Sequence, residues 1–251
     1  MKRLINLFKL KLSFFCEDNR LLGYLIGFPV TYFDILRALK KKTVGDALDF
    51  VFSSVFLGVQ QNRSEFEKLL SLVRELKPRV VMEIGTYRGG TLFLFSRVIP
   101  EYGLIVSLDL PRDSAHNGYA RWRSFLYRNY VQDKRRIEII QQDSHLKQTK
   151  EMVDAFLGGR AVDFLFIDAD HRYEGVKLDF EMYFPLVSHN GVVALHDIIR
   201  DKNSLENGVY FFWEEVKKKD GQIREFVESR EQQGKGIGLF LRTPPNRLDP
   251  E

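Results

Sequence analysis

What most constrains the fold of this chain is a unit that keeps recurring after residue 62: a short apolar run, a turn bearing an acid or glycine, then a helical stretch. Val80–Ile84 ends at Gly85, Leu104–Leu108 at Asp109, and Ile137–Ile140 runs toward Asp143-Ser144. Val162–Ile167 then ends at Asp168, and Gly191–Leu195 at His196-Asp197. Helices are predicted over 90–98, 146–156, 173–184 and 205–218, with a polar, aromatic-rich helical stretch over 111–135. The early runs are apolar at consecutive positions, which predicts strands buried on both faces of a mostly parallel sheet. Ile223–Val227 and Ile237–Leu241 predict a closing antiparallel hairpin, bringing the sheet to seven strands. Upstream, Ser64-Glu65-Phe66-Glu67 matches a capping box. Phe66, Leu69, Leu70, Val73 and Leu76 follow at helical spacing, and Pro78 closes the helix.

Residues 1–61 read differently, as a helical extension of a domain over 62–243, with 244–251 a tail. Lys2, Asn6, Lys9 and Ser13 fall on one side of a helical wheel, and Leu4, Leu7, Phe8, Leu12 and Phe15 on the other. Such a helix either packs on its own domain or a partner subunit, as in a homodimer, or lies on an anionic membrane surface. The longest uncharged run, Leu21–Phe33, has 13 residues, against about 20 needed to span a bilayer. Met1-Lys2-Arg3 opens like a signal peptide, but no small-residue cleavage site follows. The lone cysteine, Cys16, excludes a disulfide within the chain and fits a reducing compartment. The expectation is a cytoplasmic protein, with peripheral membrane contact through the N-terminal segment left open. Net charge is +4, yet residues 1–45 hold nine Lys/Arg against three Asp/Glu, so the remainder is slightly acidic. No nucleic-acid partner is expected on that distribution.

Ligands of an open parallel sheet bind beyond the carboxyl ends of its strands. There the sequence places Glu83-Ile84-Gly85-Thr86-Tyr87-Arg88-Gly89-Gly90-Thr91, a glycine-rich passage from strand to helix. Glycine lets backbone approach a ligand closely, although the dinucleotide pattern G-x-G-x-x-G is absent. Asp109 could accept hydrogen bonds from both hydroxyls of a ribose, and with the turn it points to a nucleoside-containing cofactor. A second cluster comprises Asp168, Asp170 and His171 with His196-Asp197. Two carboxylates and an imidazole could hold a divalent ion, and His171 would serve as a base near neutral pH. The plainer alternative makes His196 a core histidine and Asp170 a helix cap.

These motifs resemble the class I S-adenosylmethionine-dependent methyltransferases. The segments that carry the resemblance are Glu83 to Gly90, Asp109, Gln142-Asp143-Ser144 and Ile167-Asp168-Ala169-Asp170-His171 with Tyr173-Glu174-Gly175-Val176-Lys177. The nearest branch is the methyltransferase domain 24 or cephalosporin-hydroxylase-like group, which His196-Asp197-Ile198, Phe212-Trp213 and Gly236-Ile237-Gly238 also fit. The resemblance covers about residues 62–242. It implies a Rossmann-like, doubly wound α/β fold, with Glu83, Gly85, Tyr87 and Gly89 at the methionine end of the cofactor. It further implies Asp109 at the ribose, Asp143 and Ser144 at the adenine, and a divalent cation such as Mg²⁺ near Asp168, His196 and Asp197. Metal-dependent catechol and caffeoyl-CoA relatives carry an Asp-Asn pair in place of His196-Asp197 and a catalytic lysine in place of His171. A histidine at that position is similar to metal-dependent sugar O-methyltransferases. The implied activity is metal-assisted O-methyl transfer to a small-molecule or saccharide acceptor, with Asp168 and His171 catalytic. His116, Tyr119, Arg121, Trp122 and Arg123 are expected to cover that acceptor. Two other readings stay open: a metal hydrolase built on Asp168, Asp170, His171, His196 and Asp197, or a non-catalytic binding or membrane-recruited scaffold.

Overall fold

Seven strands form one sheet in the order β3-β2-β1-β4-β5-β7-β6. They are β1 Val80–Ile84, β2 Leu104–Asp109, β3 Arg136–Gln141, β4 Val162–Ile167, β5 Val187–His196, β6 Gln222–Phe226 and β7 Ile237–Leu241. The computed structural model describes residues 11–112, 118–131, 133–203, 207–229 and 231–242. Strands β1 to β5 pair in parallel, and β7 inserts antiparallel between β5 and β6. The expected α/β architecture is thus the one observed, and the expected hairpin supplies its antiparallel edge.

Side chains alternate across each strand, and both faces here are apolar. Val81, Phe164, Phe166, Val192 and Ala194 join a core with Phe66, Leu69 and Phe95. Met82, Ile84, Leu165, Ile167, Val193 and Leu195 join another with Val153, Val176, Phe180, Phe212 and Trp213. The first core is roofed by helices Val44–Ser53, Arg63–Leu76 and Gly90–Ser96, the second by Lys147–Leu157, Tyr173–Tyr183 and Gly208–Val216. Two covered faces explain why the central strands run mainly apolar, with Glu83 and Ser107 as buried exceptions.

Three local expectations need correction. The helix Arg63–Leu76 is capped by Asn62, whose side chain accepts from the Ser64 amide at 2.9 Å, and not by a box starting at Ser64. Glu65, in the first turn of this helix, points inward. It is buried and accepts from the Glu228 and Gly236 amides and the Gln232 side chain, so it ties the 228–236 loop to this helix.

Among the described residues of 111–135, the helix spans only Arg121–Tyr127, followed by a 3₁₀ turn at Arg128–Tyr130, and Trp122, Arg123, Leu126, Tyr127 and Tyr130 are buried. These residues form the seat of the extension. Arg123 pairs with Glu17 and donates to the Phe56 carbonyl at 2.8 Å, and Glu17 also accepts from the Ala120 amide at 3.0 Å.

The wheel drawn for the extension is inverted where it can be read. Its residues 2–10, like the tail over 244–251, lie outside the described residues. Within helical residues 11–18, Ser13 and Cys16 are buried, whereas Phe14 and Phe15 face solvent. At the seat a Cβ on Gly23 would lie 2.8 Å from the Trp122 indole nitrogen and one on Gly27 3.0 Å from its ring, with Cys16 similarly close to both. Only small residues fit against that indole. Among the described residues no helix is long and apolar enough to cross a membrane.

Candidate active site

The strand order reverses between β1 and β4, and at such a point the chains leaving two neighbouring strands diverge and open a crevice. Gly85 leaves β1 at φ +98°, and a Cβ there would sit 2.0 Å from the Asp168 carbonyl oxygen. Only glycine therefore lets the turn pass beside the end of β4. Tyr87 follows at φ +49°, an unusual conformation for a bulky side chain. Its amide donates to Asp109 at 2.6 Å, while the other oxygen of the same carboxyl accepts from the Leu110 amide at 2.7 Å. Asp109, at the end of β2, thus fixes the glycine turn from the neighbouring strand.

Two cavities of about 280 and 540 Å³ adjoin this turn and share Asp109, Gly118, Ala169 and His171. Gly85, Tyr87, Asp168, His196 and Asp197 line the first, and Asp143 and Ser144 the second. Two of the expected cofactor residues stand behind these walls. Glu83 is buried, accepting from Thr91 and, at 3.0 Å, from Ser107. Gly89 packs against Tyr127 and Tyr130, with only 2.6 Å left between a Cβ and the nearer ring. Burial, incompletely offset by those two hydroxyls, pushes the Glu83 carboxyl up to about 8. Burial likewise lifts Asp109 to about 6 against its amide donors.

At the ends of β4 and β5 the carboxylates have imidazole partners. His196 Nδ1 lies 3.0 Å from Asp168 Oδ1 and 3.4 Å from Asp197 Oδ1. His171 bridges the same acids, Nε2 at 3.6 Å from Asp168 and Nδ1 at 3.4 Å from Asp197. Burial alone would lower the His196 pKa, but Asp168 and then Asp197 raise it to about 10. Burial also opposes ionisation of both acids. The imidazoles, His196 above all, outweigh it and hold Asp168 and Asp197 below the usual carboxylate range. A hydrogen bond to Asp168, against the effect of burial, raises His171. Asp197 takes φ +64°, so a strained backbone aims its carboxylate into the cluster.

Asp168, His171 and Asp197 each offer a ligand atom within 4.8 Å of the others. Two carboxylates and an imidazole suit a hard divalent cation. His196, expected as a ligand, lines the same cavity, is almost fully buried and touches both acids, which raise its pKa. Asp170 accepts from the Arg172 amide at 2.9 Å and shapes the turn into helix Tyr173–Tyr183.

The residues expected over the acceptor are placed elsewhere. Tyr119, Trp122 and Arg123 are buried, Arg121 is exposed, none of the four lines either cavity, and His116 lies outside the described residues. On the side of the extension the first cavity is walled by Gly58, Val59, Gln60 and Gln61, with Lys235 from the loop before β7. Gln61 donates from Nε2 to Asp168 Oδ2. Gln60 and Gln61 were legible only as a polar pair before a helix, and nothing in that pair announces a contact 107 positions away.

A family model described as a methyltransferase domain matches residues 82–198. Over 175 residues the chain is 22% identical to a probable caffeoyl-CoA O-methyltransferase 3 of Dictyostelium discoideum, a match covering 70% of this chain and 65% of that protein. Over 161 residues it is 27% identical to the caffeoyl-CoA O-methyltransferase of Stellaria longipes, covering 63% and 59%. The chain therefore spans less than two thirds of either relative. The O-methyltransferase TomG from Streptomyces achromogenes, solved in complex with SAM, shares the fold at TM-score 0.58 and 18% identity, over 82% of this chain and 92% of that one. The family match runs from β1, which leads into the glycine turn, to the residue after the histidine–aspartate pair, so the segment that carries the site is similar to a methyltransferase domain.

Proposed function

We propose that this chain transfers the methyl group of S-adenosylmethionine to a hydroxyl oxygen of a small-molecule or saccharide acceptor. His171 is the base, and Asp168 and Asp197 hold a divalent cation, Mg²⁺ by the hardness of the ligands. One observation carries the reading: Asp168, His171 and Asp197 converge within 4.8 Å on the wall of the cavity that also contains Gly85, Tyr87 and Asp109. A metal hydrolase would have no use for the second group. The caffeoyl-CoA O-methyltransferases among the relatives support oxygen as the accepting atom.

The chain's own residues divide the work. Asp109 accepts the ribose hydroxyls, and Asp143 and Ser144 border the adenine. Gly85 and Tyr87 bring backbone close to the methionine portion. Alignment of donor and acceptor supplies much of the rate, on the order of 7–11 kcal/mol in favourable cases. When bound, the cation would polarise an acceptor hydroxyl and lower its pKa. His171, oriented by an acid on each ring nitrogen, takes the hydroxyl proton. His196 keeps both acids ionised and Gln61 steadies the second oxygen of Asp168. Two adjacent hydroxyls suit this arrangement best, as in a sugar diol or a catechol.

The test is His171→Ala, assayed with catechol and sugar-diol acceptors and titrated calorimetrically with S-adenosylmethionine and with Mg²⁺. Turnover should fall by about 100-fold or more, with both affinities within about three-fold of wild type. Normal turnover would discard the base. Loss of Mg²⁺ binding alongside turnover would make His171 a ligand instead.

A further inference from the structure

The extension turns its small residues inward and its large ones outward. Phe15, Leu21, Leu25 and Phe33 stand 56%, 67%, 63% and 61% exposed. Ring contacts join part of this surface into one patch. Phe33 lies 6.3 Å from Tyr32, Tyr32 lies 6.5 Å from Phe28, and Phe28 lies 6.3 Å from Phe125, itself 65% exposed. Contiguous apolar surface of this kind marks an interaction site more often than chance exposure.

The surrounding charge selects the partner. All three acids of residues 11–42 are engaged by the protein: Glu17 by Arg123, Asp18 by Arg112 at 2.7 Å, and Asp34 by the Ser54 hydroxyl at 2.9 Å. Lys11, Lys40 and Lys42 of the same segment are exposed, as are Arg121 and Arg128 beside Phe125. Arg121 and Arg128 lie four residues before and three after Phe125, on its face of the helical turn, and residues 118–131 contain no acid. A second copy meeting this face about a two-fold axis would set like charges against each other. An anionic bilayer would accept the rings at its interface and the cations at its headgroups.

We propose that the face formed by residues 11–42 and helix Arg121–Tyr127 docks on an anionic lipid surface. This holds independently of the acceptor and of the metal. The full chain is sedimented with phosphatidylcholine vesicles containing roughly one-third phosphatidylglycerol and with vesicles of phosphatidylcholine alone. Binding to the anionic vesicles should be at least about ten-fold stronger and should weaken with salt. Leu25→Asp with Phe33→Asp should reduce it about ten-fold by placing charge in the headgroup–acyl boundary. Arg121→Glu with Arg128→Glu should erase the preference for anionic lipid. Both pairs should bind S-adenosylmethionine like wild type, which reports an intact fold; where a pair does not, Phe33→Ser carries the same test. Wild-type chain that stays in solution with both vesicles overturns the proposal, as does equal binding to the two. A dimer seen by sedimentation equilibrium and split by Phe33→Asp also overturns it, assigning the face to a second copy.

Discussion

The candidate site has two halves that hold the same kind of side chain in opposite states. Beneath the glycine turn, buried Glu83 and half-buried Asp109 have only hydroxyl and amide donors, and their carboxyls rise to about 8 and about 6. Across the crevice Asp168 and Asp197 are also sheltered, yet they are held below the usual range because His196 and His171 stand against them. Burial is common to both halves, so burial does not decide the charge. A cationic neighbour does. One half therefore holds its carboxyls close to the point of losing a proton, and of the two only Asp109 faces the cavities. The other keeps a fixed negative pair, suited to a divalent ion.

Removing the central acid breaks the charged half, and the largest effect is expected there. Asp168→Asn leaves His196 buried beside Asp197 alone. Breaking a buried pair by deleting one partner costs about 3 kcal/mol or more, measurable at neutral pH by denaturant unfolding. The His196 imidazole should then titrate well below its wild-type value of about 10, which NMR of the ring protons reads directly. The sign follows from linkage. A raised histidine pKa gives stability that is complete below its unfolded value of 6.5 and lost as pH climbs toward 10. Asp168→Asn should remove most of that alkaline loss. A His196 titration that stays near 10 would mean that Asp197 alone imposes the charge.

The opposite half gives the next effect, with the opposite chemistry. Glu83 keeps its proton in the folded chain up to about 8, whereas the unfolded carboxyl loses it near 4.5. Between those values the folded state binds the extra proton, so stability falls as pH rises, by at most about 1.4 kcal/mol per pH unit for this one group. Glu83→Gln is nearly isosteric and cannot titrate. Its unfolding free energy should gain on wild type steadily from pH 4.5 to 8 and then run parallel to it. A constant offset across that range would show Glu83 to be ionised in the fold, and the two halves to be less different than their surroundings suggest.

Sequence made one half of the site more legible than the other. The glycine turn, Asp109, Asp143 and Asp168 follow directly from strands whose two covered faces leave a mainly apolar signal, so each strand end could be located to within a residue or two. His196 was visible as a residue but not as a role. Whether an imidazole binds an ion or charges the acids that bind it depends on which nitrogen faces which oxygen. The wall from Gly58 to Gln61 was not legible, because its position follows from the docking of the extension on Trp122 and Arg123. The wheel inverted as well: Ser13 looks polar in sequence but is fully buried, while Phe15 faces solvent. The capping box failed for a smaller reason, since Asn62 stands two residues before Ser64 and is an equally good cap.

The smallest effect separates side chain from backbone in the cofactor half. Asp109 has two tasks: it holds the left-handed Tyr87 amide, and it presents oxygen to the cavities. Asp109→Asn retains one acceptor for that amide, and Asp109→Ala retains none. Affinity for S-adenosylmethionine, measured calorimetrically, should fall about three-fold in the first and about ten-fold in the second, in keeping with about 1 kcal/mol per hydrogen bond. Turnover at saturating donor should be unchanged in both. Equal losses in the two variants would place the whole contribution in the contact with the ribose. A loss confined to Asp109→Ala would place it in the turn, and the comparison would then be between a half built from backbone geometry and a half built from charge.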